Sequence, residues 1–184
     1  LTQKGINVPG GFALTAAAFW HYLRENKIEG QIRKIFKDFN ADNLKNLKAA
    51  SRQIRRLIMK AEFPADFKKE ISEAYSELSK QYGQKNLSVA IRSSATAEDL
   101  PSASFAGQHE TYLNVKGEKK LFIAIKQCFA SLYLERAIAY RQEKGFDHMQ
   151  IALSVCVQKM IRSDLASSGI MFTLDTESGF PNVV

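Results

Sequence analysis

The stretch Val89–Val115, VAIRSSATAEDLPSASFAGQHETYLNV, constrains this chain more than any other. An apolar run, Leu87–Ile91, stops at Arg92. Fifteen residues follow, Ser93–Gly107, of which ten are Ser, Ala, Thr or Gly, and a second apolar segment, Thr111–Val115, closes the stretch. The pattern predicts a strand, a loop of small side chains and a return strand. Backbone N–H groups in a loop with so little bulk can approach a ligand closely. An arginine at its root and hydroxyls along it suit a polyphosphate. A surface Ser/Ala turn would have the same composition.

The rest of the chain bounds the fold around that stretch. Its 184 residues suffice for one domain of ordinary size, with room for two lobes. A hydrophobic content of 45% and a charged content of 24% are those of a globular domain. No window reaches the length of a membrane span and Leu1–Asn7 carries no signal-peptide core; two isolated cysteines with no C-x-x-C make a reducing, cytoplasmic setting the expectation. The starting Leu1 and the apolar end Pro181–Val184 suggest a piece of a longer chain. Cys128 and Cys156 are isolated in apolar patterns and read as small hydrophobes rather than a disulfide or metal site. His21, His109 and His148 lack ligand-like spacing, so no metal site is expected.

Along the chain, Val8–Leu14 reads as a turn and a short strand, and Thr15 as the N-cap of a helix over Ala16–Glu25. Ile28–Phe39 continues as a second helix. Asp42 can cap a third, whose apolar positions are Leu44, Leu47, Ile54, Leu57 and Ile58 and which Phe63–Pro64 breaks. Phe67, Ile71, Ala74, Tyr75, Leu78 and Tyr82 form one face of a fourth, with Gly83 as its C-cap. Residues 15–83 therefore form a helical subregion ahead of the β-loop-β unit at 87–115. Two helices follow, one on Phe122, Ile125, Phe129 and Leu132, the other over Leu134–Lys144. Ile151–Val157 alternates strictly, and with Ala152, Ser154 and Cys156 on its other side it reads as a strand inside a sheet. Ser168–Leu174 is a further strand candidate and Thr176–Gly179 a turn. The order predicts an α+β or mixed α/β fold rather than a doubly wound sheet.

Few residues call for chemistry. Arg92 suits a bidentate phosphate contact or an ion pair with Glu98 or Asp99. Ser102 and Ser104 suit phosphate or local turns, and Gly107 and Thr111 flank the return strand, where a glycine leaves room for a ligand or marks a bulge. Gln158–Lys159–Met160–Ile161 leaves a buried strand and could hydrogen-bond a nucleotide base or simply end the strand. Arg136 and Arg141 read as surface charges. The net charge of +7 is spread over helix faces, although it also allows an anionic ligand or a basic nucleic-acid-binding module. No P-loop, strand-linked G-x-G-x-x-G or G-x-S-x-G is present.

The runs AIRSSATAEDLPSASFAGQHETYLNV, RSDLASSGIMFTLDTESGF and VPGGFALTAAAF resemble the N-terminal nucleotide-binding domain of the phosphoenolpyruvate synthase and pyruvate phosphate dikinase family. The resemblance covers Val8 to the end, and the R-S-D-L-A-S-S-G run tilts it toward the synthase branch. It implies an ATP-grasp fold, of which this chain is the first lobe with a helical insertion and part of the junction (residues 1–184). It implies that ATP, pyruvate and water become AMP, phosphoenolpyruvate and phosphate through a phosphohistidine on a swivelling domain. That domain and the phosphoenolpyruvate/pyruvate barrel are absent from this sequence.

By the same resemblance Arg92 matches the arginine on the ATP phosphates, Thr96 to Ala106 (with Ser104) the flexible loop covering them, Gly107 and Thr111 positions lining the nucleotide, and Gln158 and Met160 the adenine side. No catalytic or metal-binding residue is assigned within this sequence. The family's G-G-K lysine would precede it, and the Mg2+ ligands and catalytic histidine would follow it, so the piece alone is expected to be inactive. A homodimer is open for the whole enzyme, and a related dikinase or rifampin phosphotransferase is the alternative within the class.

Overall fold

In the computed structural model the described residues are 5, 7–37, 39–40, 43–95, 110–175 and 178–180, with the backbone alone of 99–100 and 103–104. Among them six α-helices and six strands follow in the order β1 (Gly11–Leu14), α1 (Ala16–Glu25), α2 (Ile28–Lys37), α3 (Leu44–Lys60), α4 (Ala65–Gln81), β2 (Ser88–Ala95), β3 (Asp99–Leu100), β4 (Ala103–Ser104), β5 (Thr111–Lys116), α5 (Glu118–Ser131), α6 (Glu135–Glu143) and β6 (Leu153–Lys159), with a short 3-10 helix at Ser163–Leu165. Four strands form an antiparallel sheet in the order β1-β6-β2-β5. The fold is α+β.

Local chemistry sets most helix ends. The Thr15 hydroxyl accepts from the Ala18 amide at 3.4 Å and starts α1. Helix α4 ends in a Schellman motif. Gly83, at φ +64°, donates its amide to Lys80, and Gln84 donates to Ser79. Gly145 and Phe146 close α6 with the same pattern, onto Gln142 and Arg141. Helix α3 is capped by Asn43, whose side chain accepts from Lys45 and Asn46; the expected cap, Asp42, lies outside the described residues. Helix α2 ends at Lys37, short of Phe39.

All the helices share one core with one face of the sheet. Phe19 and Phe129 meet edge to face at 5.2 Å, Tyr22 packs on both Phe63 and Phe129, and Ile54 and Ile58 of α3 join them, all fully buried except Phe63. The buried Tyr22 hydroxyl donates to the Ile58 carbonyl at 2.7 Å. From the sheet, Leu14, Val89, Ile91, Ala95, Leu153, Val155 and Val157 point into this core. The opposite face is uncovered by any described helix.

Three expectations change. Strand β2 does not stop at Arg92 but runs to Ala95, because Ser93, Ser94 and Ala95 continue the ladder against Val155, Ser154 and Leu153. A paired neighbour outweighs the weak strand preference of Ser and Ala. Ser168–Leu174 forms no strand. Ile170, Met171, Phe172 and Leu174 are all exposed, and a strand without a ladder partner has no backbone hydrogen bonds to hold it. The internal strand predicted over Ile151–Val157 is found at Leu153–Lys159, between β1 and β2.

Arg141 is a fourth correction. It is fully buried, not a surface charge. Its Nε donates to Nδ1 of His148 at 3.1 Å, its guanidinium lies 5.7 Å from the Tyr133 ring centroid, and among the described residues its two terminal nitrogens lack hydrogen-bond partners. Burial lowers its pKa to about 10, so it stays charged at neutral pH. His148 is stacked on Phe36 at 4.2 Å. Burial, and then the Arg141 charge, lower its pKa to about 4. Its Nδ1 accepts from Arg141, so the ring is neutral.

Two outcomes follow for stability. The folded-state pKa of His148 lies below the unfolded value of about 6.5. The unfolded chain therefore binds the proton first, and stability falls as pH drops from about 6.5 toward about 4. Urea midpoints across that range should show this slope, and His148→Gln should flatten it. Phe129→Ala should cost about 3–5 kcal/mol in the same assay, since it empties the meeting point of α1 and α5.

Candidate functional site

The uncovered face of the sheet carries the residues singled out for phosphate. Arg92 sits at the centre of β2. Its Cα partners are Thr111 on β5 and Cys156 on β6, and Cys156 in turn pairs with Ala13 on β1. Cross-strand partners project to the same side, so Ala13, Cys156, Arg92 and Thr111 form one row across all four strands. A second row runs through Gly11, Gln158 and Ala90. Gln158 is the diagonal neighbour of Arg92, about 7–8 Å away between backbones, within reach of two long side chains. Arg92 and Thr111 are exposed, and Cys156 and Gln158 are half-buried. Among the described residues Arg92 makes no ion pair.

The edge near Gln158 is built tightly. Its Nε2 donates to the Pro9 carbonyl at 3.1 Å, which holds the side chain along β1. The Lys159 amide donates to Gly10, and the Gly10 amide donates to the Tyr82 hydroxyl at 3.1 Å. The Lys159 ammonium lies 4.0 Å from the Tyr82 ring centroid, a close cation–π contact. A Cβ on Gly11 would stand 2.3 Å from the Val157 carbonyl oxygen and 2.9 Å from Gln158 Cα. The Pro9–Gly10–Gly11 segment is thus a backbone-close clamp on the end of β6. Met160 follows directly, half-buried, its amide donating to Ser88 at 2.9 Å.

The structure therefore brings Arg92, Thr111 and Gln158 together on one face and places Met160 at the end of the Gln158 strand. Ser104 belongs to β4, opposite Asp99 in the β3–β4 hairpin. Thr96 and Gly107 lie outside the described residues, as does Glu98 from the alternative ion pair. The bulge in this region lies within the described part of β5, opposite Ala90, where Asn114 has φ +56°. The sequence reading missed Ser94, Cys156 and the Tyr82 clamp. Ser94 and Cys156 were recoverable from strand parity with Arg92 once β2 was extended; the role of Tyr82 depends on its hydrogen bond with Gly10, 72 residues away.

The histidines are placed elsewhere. His21 on α1 pairs with Asp66 at 3.4 Å, His148 is enclosed by Phe36 and Arg141, and His109 lies outside the described residues. Among the described residues no group of three or more His, Cys, Asp and Glu could hold a metal ion, and no described helix is long and apolar enough to cross a membrane.

An antiparallel sheet with one face packed against helices, and the other carrying an arginine that makes no ion pair among the described residues, defines an α+β domain. The whole chain, residues 1–184, matches the family "Pyruvate phosphate dikinase, AMP/ATP-binding domain", and it belongs to that family. It is similar to phosphoenolpyruvate synthases from Helicobacter pylori (52% identity), Aquifex aeolicus (50%) and Escherichia coli (48%), in each case over all of this chain. It spans 22–23% of the length of those relatives.

The geometry separates the two cysteines. Cys128 is fully buried, and burial with the nearby Glu110 charge pushes its thiol pKa up to about 12. Cys156 stands on the uncovered face. Iodoacetamide on the native protein should label Cys156 and spare Cys128, as read by peptide mass spectrometry; equal labelling would contradict the packing described. Gly11→Ala should lower stability by about 1–3 kcal/mol by pushing β1 from β6.

Proposed function

We propose that the uncovered face is the nucleotide-binding face of an ATP-dependent phosphoenolpyruvate-forming enzyme, and that Arg92 holds the ATP phosphates. The observation that carries this reading is the row in which Arg92, unpaired among the described residues, stands between Thr111 and Cys156 with Gln158 on its diagonal. The family match and the synthase relatives support it. Thr111 offers a hydroxyl beside the guanidinium. Gln158, steadied by Pro9, and Met160 lie at the end where a base would rest, the amide as a hydrogen-bonding partner and the thioether against the ring.

On this reading the sheet is the first lobe of an ATP-grasp clamp and the loop containing Thr96, Ser104 and Gly107 covers the phosphates. A longer chain supplies the second lobe, the Mg2+ ligands and the histidine domain. ATP passes its β,γ-diphosphoryl group to that histidine and leaves as AMP; water removes one phosphate, and the remaining phosphoryl group goes to the enol oxygen of pyruvate. Bound Mg2+ would neutralise phosphate charge. This chain's own part is positional and electrostatic, with the arginine fork offsetting charge on the phosphates and the small side chains of the face letting them approach the backbone. A reducing cytoplasmic compartment fits such an enzyme.

Calorimetric titration of ATP into the protein tests this reading. Arg92→Ala should weaken ATP binding by about 10–150-fold, the value of one charge-assisted hydrogen bond of about 1.5–3 kcal/mol. The urea midpoint should stay unchanged, because Arg92 is exposed. Wild-type affinity in this variant would overturn the assignment.

A further inference from the structure

A second cleft, of about 440 Å³, opens on the helix-covered side of the sheet, at the edge strand β5. Tyr112, which lines it, pairs with the buried Ile91, so its side chain leaves β5 on the face opposite to Arg92. The other wall is α3, which presents Arg52, Arg55 and Arg56. Their i, i+3, i+4 spacing sets three guanidinium groups side by side on one helix face, where like charges repel.

Nothing in the helix offsets them. Helix α3 has six basic residues and no acidic one in LKNLKAASRQIRRLIMK. Among the described residues none of the three arginines forms an ion pair or a hydrogen bond. Among the described residues the single carboxylate lining the cleft is Glu110, which already accepts the Tyr112 hydroxyl. Three cations against one carboxylate leave an excess of two positive charges in a concave site of ligand size. Met59 adds an apolar patch to the lining. Planar guanidinium forks match phosphate oxygens two at a time, and a dianion would relieve the repulsion along α3.

We propose that this cleft binds a small phosphorylated ligand carrying at least two negative charges, at a site separate from the Arg92 face. The proposal does not depend on the nucleotide reading of that face. The probe is inorganic pyrophosphate, titrated at low salt into the Arg92→Gln variant, so that any contribution from the sheet face is removed. Saturable 1:1 binding is expected, with amide shifts at Tyr112 and Gln127 in the NMR spectrum. Adding Arg55→Gln and Arg56→Gln should weaken it about 100-fold, roughly tenfold for each guanidinium–phosphate pair removed. Circular dichroism checks the fold, and Arg56→Gln alone, at an exposed position, serves if the combined variant unfolds; it should weaken binding about tenfold. No pyrophosphate binding to Arg92→Gln at millimolar concentration overturns the proposal. So does unchanged affinity after the arginine substitutions, or binding of an acidic peptide at the cleft without binding of pyrophosphate.

Discussion

Seven consecutive Cα pairs hold β2 against β6, from Val89–Lys159 to Ala95–Leu153, and the rest of the structure depends on that register. It places Val89, Ile91 and Ala95 in the core with Leu153, Val155 and Val157, and Arg92 and Ser94 on the other side with Cys156 and Ser154. A slip of one residue would turn Arg92 into the helices and Ile91 out to water. Burying an unpaired guanidinium costs several kcal/mol, so the hydrophobic pattern that builds the core also fixes where the arginine stands. The packing and the side on which Arg92 stands are set by one alternation.

The same division explains the small side chains on the uncovered face. Gly11, Ala13, Ser94, Ser154 and Cys156 surround Arg92 and Gln158 without filling the space above the sheet. Apolar burial does not require larger residues there. The close approach of Gly11 to β6 extends this to the edge, where Pro9 holds the Gln158 side chain and Tyr82 contacts both Gly10 and Lys159. The chain spans less than a quarter of the length of its synthase relatives.

Much of this was legible in the sequence. Helix α1 was delimited to the residue by Thr15 and the periodicity after it, and Gly83 and Gly145 marked the ends of α4 and α6 because left-handed C-caps favour glycine. Arg92, Thr111 and Gln158 were identified as site candidates. What was hidden depends on non-local partners. Ser93–Ala95 looks like loop until β6 lies beside it, and Ser168–Leu174 looks like a strand although no described strand pairs with it. Arg141 reads as a solvated helix charge until Tyr133 and His148 pack against it. The cleft at α3 escaped for the same reason, since its arginines acquire a concave setting only when α5 and β5 pack alongside.

The central claim is that the uncovered side of the sheet is where the nucleotide binds. Backbone NMR of the isotope-labelled chain titrated with ATP tests it directly. The largest amide shifts should fall on Ala13, Arg92, Thr111, Cys156 and Gln158, with smaller ones on the buried Ile54, Ile58 and Phe129. Shifts concentrated on the helix side, or none at Arg92 and Thr111 at saturating ATP, would contradict the account.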